Sequence, residues 1–341
     1  MSHRKPLDRV RPTETFELDS GLSLLPRIKL NLTIHRADKS VYPIDEWKLK
    51  RSLSDYFKAS HSISVAEEDI RIHKYKDLKK RKREEPVARG SIFILDFGSF
   101  SKGSSGGLSE ENDAEDRFLE WRKGIVEQMD GMELNLEGAK FKLSVVLPLV
   151  DDFEGMKKEW EEVAAFAHSG YQMAEKQRPD TLILRGVPSR WFAEPRVSSK
   201  PSMLVTHTLL SAFGKIRNLD VAEDNDIAED DVEDGEDLVS GLNCKIVVRF
   251  KGHTEFYNAL KVFCGRSLIK QGSRLRVDYE VIWDKNGFFQ NSRSQIEDRR
   301  WMPVTGSRNN RNQAYGHGSR AARIISDDSR RKRFKEIKNE E

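Results

Sequence analysis

The chain reads as an α+β protein made of two ferredoxin-like units, each with the element order β-α-β-β-α-β. Three observations predict this. Residues 27–35 alternate between apolar and polar side chains, the period of a half-buried strand. Two later segments carry apolar residues at helical spacing, one from about Asp45 and one from Asp113 to Met129. The same order of elements then returns over residues 181–283, with little residue-level repeat.

In the first unit, Ile28, Leu30, Leu32 and Ile34 face one way, and Lys29, Asn31, Thr33 and His35 the other. The helix from Asp45 presents Trp47, Leu49, Leu53, Tyr56 and Phe57. Asp69 to Lys74 is a short strand with Ile70 and Ile72 inward. Ser91 to Phe97 is a stronger strand, with Ile92 and Ile94 expected on the open face and no stacking aromatic there. The helix to Met129 carries Phe118, Trp121, Ile125 and Met129 on one stripe, and Lys140 to Leu147 closes the unit. Asp151 to Gln177 is a helix with Phe153, Met156, Trp160, Val163, Ala164 and Phe166 on one face, either linking the units or packed on one of them. Three charged or Gly/Ser-rich stretches, Lys76–Glu85, Gly98–Glu111 and Glu223–Asp237, fall between elements, where insertions are tolerated.

The second unit has strands at Thr181–Gly186, Ile216–Val221, Cys244–Phe250 and Arg274–Ile282, and helices at about Ser202–Phe213 and Thr254–Val262. Alternation sends Leu182, Leu184, Ile246, Val248, Phe250, Leu275, Val277, Tyr279 and Val281 inward. Ile183, Arg185, Lys245, Val247, Arg249, Arg274 and Arg276 then lie on the open sheet face. Arg185, Lys245, Arg249 and Arg276 are the candidate phosphate contacts, of a kind weakened by salt and with little base selectivity. Ile183 with Val247 would equally suit a protein-interaction patch. Beside the first strand, Arg190, Trp191 and Phe192 either stack on a base at the sheet edge or cover the end of the core.

Charge is uneven although the net value is only +3. Residues 223–237 hold ten acidic and no basic side chains, whereas residues 286–341 hold thirteen basic against seven acidic. Such asymmetry points to electrostatic partners. The acidic stretch is a solvated insertion, an imitation of RNA or a lure for a basic partner. The two cysteines, Cys244 and Cys264, lack metal spacing and fit a reducing compartment. There is no signal peptide and no apolar run of membrane-spanning length, so no membrane partner is expected. The eight histidines form no ligand pair, no Gly-Lys-Ser/Thr ending follows Gly98–Gly107, and no Gly-x-Ser-x-Gly elbow is present. No enzyme activity, cofactor or metal is expected. Lys79–Arg83 and Arg330–Arg333 are basic runs of the nuclear-import type, and Ser294, Ser326 and Ser329 are expected sites of phosphorylation beside arginines.

The string Thr181-Leu182-Ile183-Leu184-Arg185-Gly186-Val187-Pro188 resembles the opening of an RNA-recognition module, although Ile183, Lys245 and Val247 stand where such a module puts stacking aromatics. With Gly21–Leu30, Arg178–Ala193 and Phe213–Val221, the chain resembles the family of A-kinase anchor protein 17A, arginine/serine-rich-type splicing regulators, over about residues 16–285. The resemblance implies a nuclear protein of pre-mRNA splicing, with single-stranded RNA and splicing-factor proteins as partners. It does not carry over binding of the kinase A regulatory subunit. In the family that belongs to amphipathic helices beyond the module, and the sequence after Trp283 shows none. Ser292-Arg293-Ser294 and Ser329-Arg330-Arg331 are only fragments of an arginine/serine tail, as in a short form. The expected organisation is a disordered tail (1–15), a first unit (16–150), a linking helix (151–177), a non-canonical RNA-recognition module (178–285) and a disordered basic tail (286–341).

Overall fold

The computed structural model describes residues 6–37, 44–76, 82, 84–101, 110–167, 178–224 and 242–289. The basic tail after Phe289, the acidic stretch after Asp224 and Ser294, Ser326 and Ser329 lie outside them. In chain order the strands are β1 (Phe16–Glu17), β2 (Leu22–Pro26), β3 (Ile28–Arg36), β4 (Ile70–Lys74), β5 (Ala88–Ile94), β6 (Glu133–Leu136), β7 (Ala139–Val146), β8 (Thr181–Pro188), β9 (Ile216–Glu223), β10 (Asn243–Phe250), β11 (Arg266–Lys270), β12 (Arg276–Val277) and β13 (Glu280–Trp283). The helices are α1 (Glu46–His61), α2 (Gly98–Ser101), α3 (Glu110–Met129), α4 (Phe153–Ala167), α5 (Met203–Leu210) and α6 (His253–Phe263).

The protein is α+β with antiparallel sheets, and both expected units are present. The first sheet has the order β4-β5-β3-β7-β6, and the second β13-β8-β10-β9. Counting strands within each unit, both place the first and third at the centre, as the ferredoxin-like pattern does. Leu30, Leu32, Ile34, Leu49, Leu53, Phe57, Ile125 and Met129 fill the first core. Asp45 caps α1, its Oδ1 accepting from the Trp47 and Lys48 backbone N–H at 3.1 and 3.3 Å. Trp47, expected on the buried stripe, is 54% exposed.

A third sheet, β1-β2-β11-β12, was not expected from the sequence. β2 runs antiparallel to β11, with Leu24 opposite Leu268. Phe16, Leu22 and Leu24 are buried in the second unit's core rather than the first's. Arg266 holds the preceding turn: its guanidinium donates to the carbonyls of Val262 and Arg11, both at 2.6 Å, and to that of Glu14 at 3.2 Å. Burial pulls its pKa below the ordinary arginine value, and no carboxylate touches it among the described residues. The stretch expected to open the first unit thus completes the second. Its partner is some 240 residues away, so local pattern gives no sign of the pairing.

Helix α4 also joins the second core. Met156 and Trp160 are buried there, and Trp160 meets Phe256 edge-to-face at 5.9 Å. Its first turns pack there and Val163 is 53% exposed; the side chain of Phe166 and the expected continuation over 168–177 lie outside the described residues.

The strand expected over Arg274–Ile282 is broken in two. β12 pairs with β11 in the third sheet, and β13 pairs with β8 in the second. Leu275, expected inward, is 58% exposed. Between the two pieces Asp278 turns to the first unit, where it forms ion pairs with Arg27 and Lys29. The register of β5 also differs by one residue from expectation. Ile92 and Ile94 lie in the core, and Phe93 lies on the open face, opposite Lys29.

Phe16, Leu22 and Leu24 are each almost fully buried, worth roughly 1.5–3 kcal/mol apiece. Their sum is a large part of the ~5–15 kcal/mol that holds a typical domain. A fragment starting at residue 178 should therefore show no cooperative thermal transition, whereas one that retains residues 6–26 and the first unit should melt cooperatively. Cys244 gives a second check. Burial, the larger cause, and nearby Asp224 push its thiol up to about 12 against a partly opposing Ser189 hydrogen bond. Unfolded thiols ionise near pH 9, so the folded state loses this contribution as pH rises from there towards 12. Iodoacetamide at about pH 8 should leave Cys244 unmodified until the protein is denatured.

Candidate nucleic-acid interface

The open face of the second sheet is built by β8 and β10 side by side. Val247 stands opposite Ile183, and Leu184 and Ile246 point to the core. At the end of β8 the chain needs a left-handed residue. Gly186 supplies it at φ +74°, next to a register shift between Cys244 and Ile246. The Gly186 N–H donates to Asp224 Oδ2 at 2.9 Å, so the buried carboxylate that begins the acidic stretch ties β9 to this bend.

The sequence-predicted site residues separate into those on the face and those used elsewhere. Arg185 and Lys245 are half-buried on the face. Arg185 Nε is buried without a hydrogen-bond partner among the described residues. Arg249 is on the same face, but its Nε is bound to Asp180 Oδ2 at 2.7 Å at the strand's end. Arg276 is not on this face. It belongs to the third sheet and forms an ion pair with Asp69 at the start of the first unit's β4. The reason is the break before β13, which leaves Arg276 in a strand that pairs with β11. Ile183 and Val247 are only 8% and 1% exposed.

Beyond β8, Arg190 is exposed, Trp191 is half-buried against the core and Phe192 is 3% exposed within it. Phe192 covers the core end and does not present a ring to solvent. Of the aromatic pair, Trp191 retains accessible surface.

Sequence reasoning missed the open face of the first unit. Phe93 sits there, 2% exposed, beneath a cluster of cations. The guanidinium of Arg71 lies 4.8 Å from its ring centroid, Arg27 at 5.7 Å, the Lys29 ammonium at 5.8 Å and Arg276 at 6.0 Å. The signal was present in the Lys29, Arg71 and Arg89 positions, each two residues from another open-face residue, but the one-residue error in β5 hid the ring at its centre.

Residues 113–314 match the family described as AKAP-17A-like, RNA-binding domain. The chain belongs to this family. The matched stretch begins in α3 and takes in the second unit from β8 to β13. A-kinase anchor protein 17A of Homo sapiens is 27% identical over 177 residues, which is 50% of this chain and 25% of that protein. The chain therefore spans about a quarter of the length of the curated relative it matches. The family description is one of RNA binding and names no catalytic activity.

Phe192 provides the test of how the aromatic pair is used. Phe192→Ala should cost about 3–5 kcal/mol of stability, as for a buried ring, read by denaturant unfolding. The RNA affinity of the fraction that stays folded should not change.

Proposed function

We propose that this chain binds single-stranded RNA and acts in the nucleus in the regulation of pre-mRNA splicing, with its second unit as a non-canonical RNA-recognition module. The observation that carries the reading is the family match across β8 to β13 of that unit. The sheet order β13-β8-β10-β9 supports the module assignment, and Arg185 and Lys245 on its face supply positive charge for phosphates. Arg190 and Trp191 extend that surface past the end of β8. With Ile183, Lys245 and Val247 in the places of stacking aromatics, affinity rests on charge more than on base stacking.

The resemblance to splicing regulators supports the process and the splicing-factor partners. The two basic runs support the nucleus; apart from Lys82 they lie outside the described residues. The competing reading, a protein-interaction scaffold that binds through Trp191, Phe192, Ile183 and Val247 and to which RNA is incidental, is favoured less because Phe192, Ile183 and Val247 are buried and Trp191 alone of the four keeps accessible surface.

Fluorescence anisotropy of the full chain with a random single-stranded RNA pool tests the reading. Micromolar or tighter binding at about 0.15 M salt is expected, with affinity falling steeply as salt rises. Absence of binding at low salt would overturn it. A tagged chain should accumulate in the nucleus and keep its splicing-factor contacts only until nuclease treatment.

A further inference from the structure

The two units meet around a cleft of about 710 Å³, with the β3-β4-β5 face of the first as one wall and Arg185, Gly186 and the segment from Asp278 to Glu280 of the second as the other. Its volume falls within the ~300–1,000 Å³ of typical ligand sites. Lys29, Arg71, Arg89 and Arg185 line it, with Asn31 and Ser91 between them. These side chains come from both units. Those of the first unit precede residue 113, where the family match begins.

We propose that this cleft is a composite RNA site, in which a single strand runs between the units and the first unit supplies contacts of its own. The inference rests on the reading of the chain as an RNA-binding protein and adds where the strand lies.

Charge is the first argument. Structural ion pairs consume part of the basic surface: Lys29 is bound to Asp278 at 2.8 Å and Arg276 to Asp69. Arg71 and Arg185 have no carboxylate partner among the described residues. Arg185 keeps a buried Nε unsatisfied at the cleft wall. A buried donor without an acceptor is costly, and a phosphate oxygen in the cleft would satisfy it.

Shape is the second argument. The Arg71 guanidinium rests on the Phe93 ring at 4.8 Å, and the residue is exposed. The ring anchors the charged group while the residue stays open to solvent. A guanidinium anchored in this way can stack on a base, as an exposed aromatic does in an ordinary module. Asn31 and Ser91, joined at 3.3 Å, stand beside it with neutral donors and acceptors for a base edge or a 2′-hydroxyl. An acidic peptide would be drawn by the same charge, but it brings no flat group for the Arg71 plane.

The close approach of β4 and β5 fixes this floor. A Cβ on Gly90 would lie 2.4 Å from the Arg71 carbonyl, so only glycine lets the two strands sit as they do.

The test uses the full chain, a labelled random single-stranded RNA and a salt series. Arg71→Gln and Arg185→Gln should each weaken binding about 3- to 10-fold, and should each lower the slope of log affinity against log salt by about 0.7, the value of one phosphate contact on a single strand. Ser91→Phe, which fills the cleft without removing a charge, should weaken binding by a comparable factor. Lys123→Gln, on an exposed position of α3, controls for net charge and should leave affinity unchanged. Thermal melts verify that each variant is folded. If the wild-type chain binds RNA and the three cleft variants bind it equally well, the cleft assignment is overturned and the RNA-binding reading stands. If the wild-type chain binds no RNA, both fall. If polyglutamate displaces RNA at equal charge concentration and its own binding is what the cleft variants lose, the cleft takes acidic peptides and the proposal is overturned.

Discussion

Arg27 is the residue on which the arrangement of the whole molecule turns. It sits between β2, which pairs with the second unit's β11, and β3, the central strand of the first sheet. Its side chain has no exposed surface, yet it is charged. Burial alone would lower its pKa, but Asp151 and Asp278 hold it above the ordinary arginine value. Nη1 donates to Asp151 at 2.9 Å, Nη2 pairs with Asp278, and the backbone N–H donates to the Gly265 carbonyl at 2.9 Å. Three segments far apart in sequence meet at one guanidinium, and a fourth, at Gly265, meets the backbone of the same residue. Removing one member of such a buried set leaves the others uncompensated, which costs several kcal/mol, so the set is kept or lost together.

That constraint creates the cleft. Asp278 reaches Arg27 and Lys29 only because the strand between β11 and β13 breaks, and the break places Arg276 beside Asp69. Across the seam on the other side, Lys261 meets Glu115 at 2.8 Å and Arg122 meets Asp152 at 3.0 Å. The first unit's open face is therefore held opposite the C-terminal end of β8, at Arg185 and Gly186. The basic residues fall into two groups by partner. Arg27, Lys29, Arg249 and Arg276 are satisfied by carboxylates within the fold. Arg71 and Arg185 are left to face the space between the units.

Much of this was legible from pattern, and the failures have identifiable causes. β3 alternates cleanly, and its register follows from the side chains alone; β8 and β10 carry apolar runs at Leu182–Leu184 and Ile246–Val248, and their faces are fixed by the flanking Arg185, Lys245 and Arg249. β5 contains the run Ile92-Phe93-Ile94, which is apolar throughout and has no period to read. Phe93 is buried beneath cations, so an aromatic on a nominally open face looks like core. Residues 274–282 alternate as one strand would, because Leu275, Val277, Tyr279 and Val281 keep the period across a break made by Asp278. The pairing of β2 with β11 is decided by partners some 240 residues apart, and Arg27 itself reads as one more polar residue between two apolar strands.

The treatment of aromatics follows from the same economy of burial. In both units the open-face positions near the sheet centre are withdrawn from solvent, Ile183 and Val247 in one and Phe93 in the other. A ring exposed for stacking is apolar surface left in water. A ring buried under guanidinium planes gains both its burial and the cation–π contact. What is presented outward is then a charged plane, strongly attracted to phosphate and tolerant of any base. A surface of this kind gains affinity and gives up base selectivity. Sequence discrimination by this chain would have to come from the neutral groups beside the planes, Asn31 and Ser91, or from the half-buried Trp191 at the end of β8.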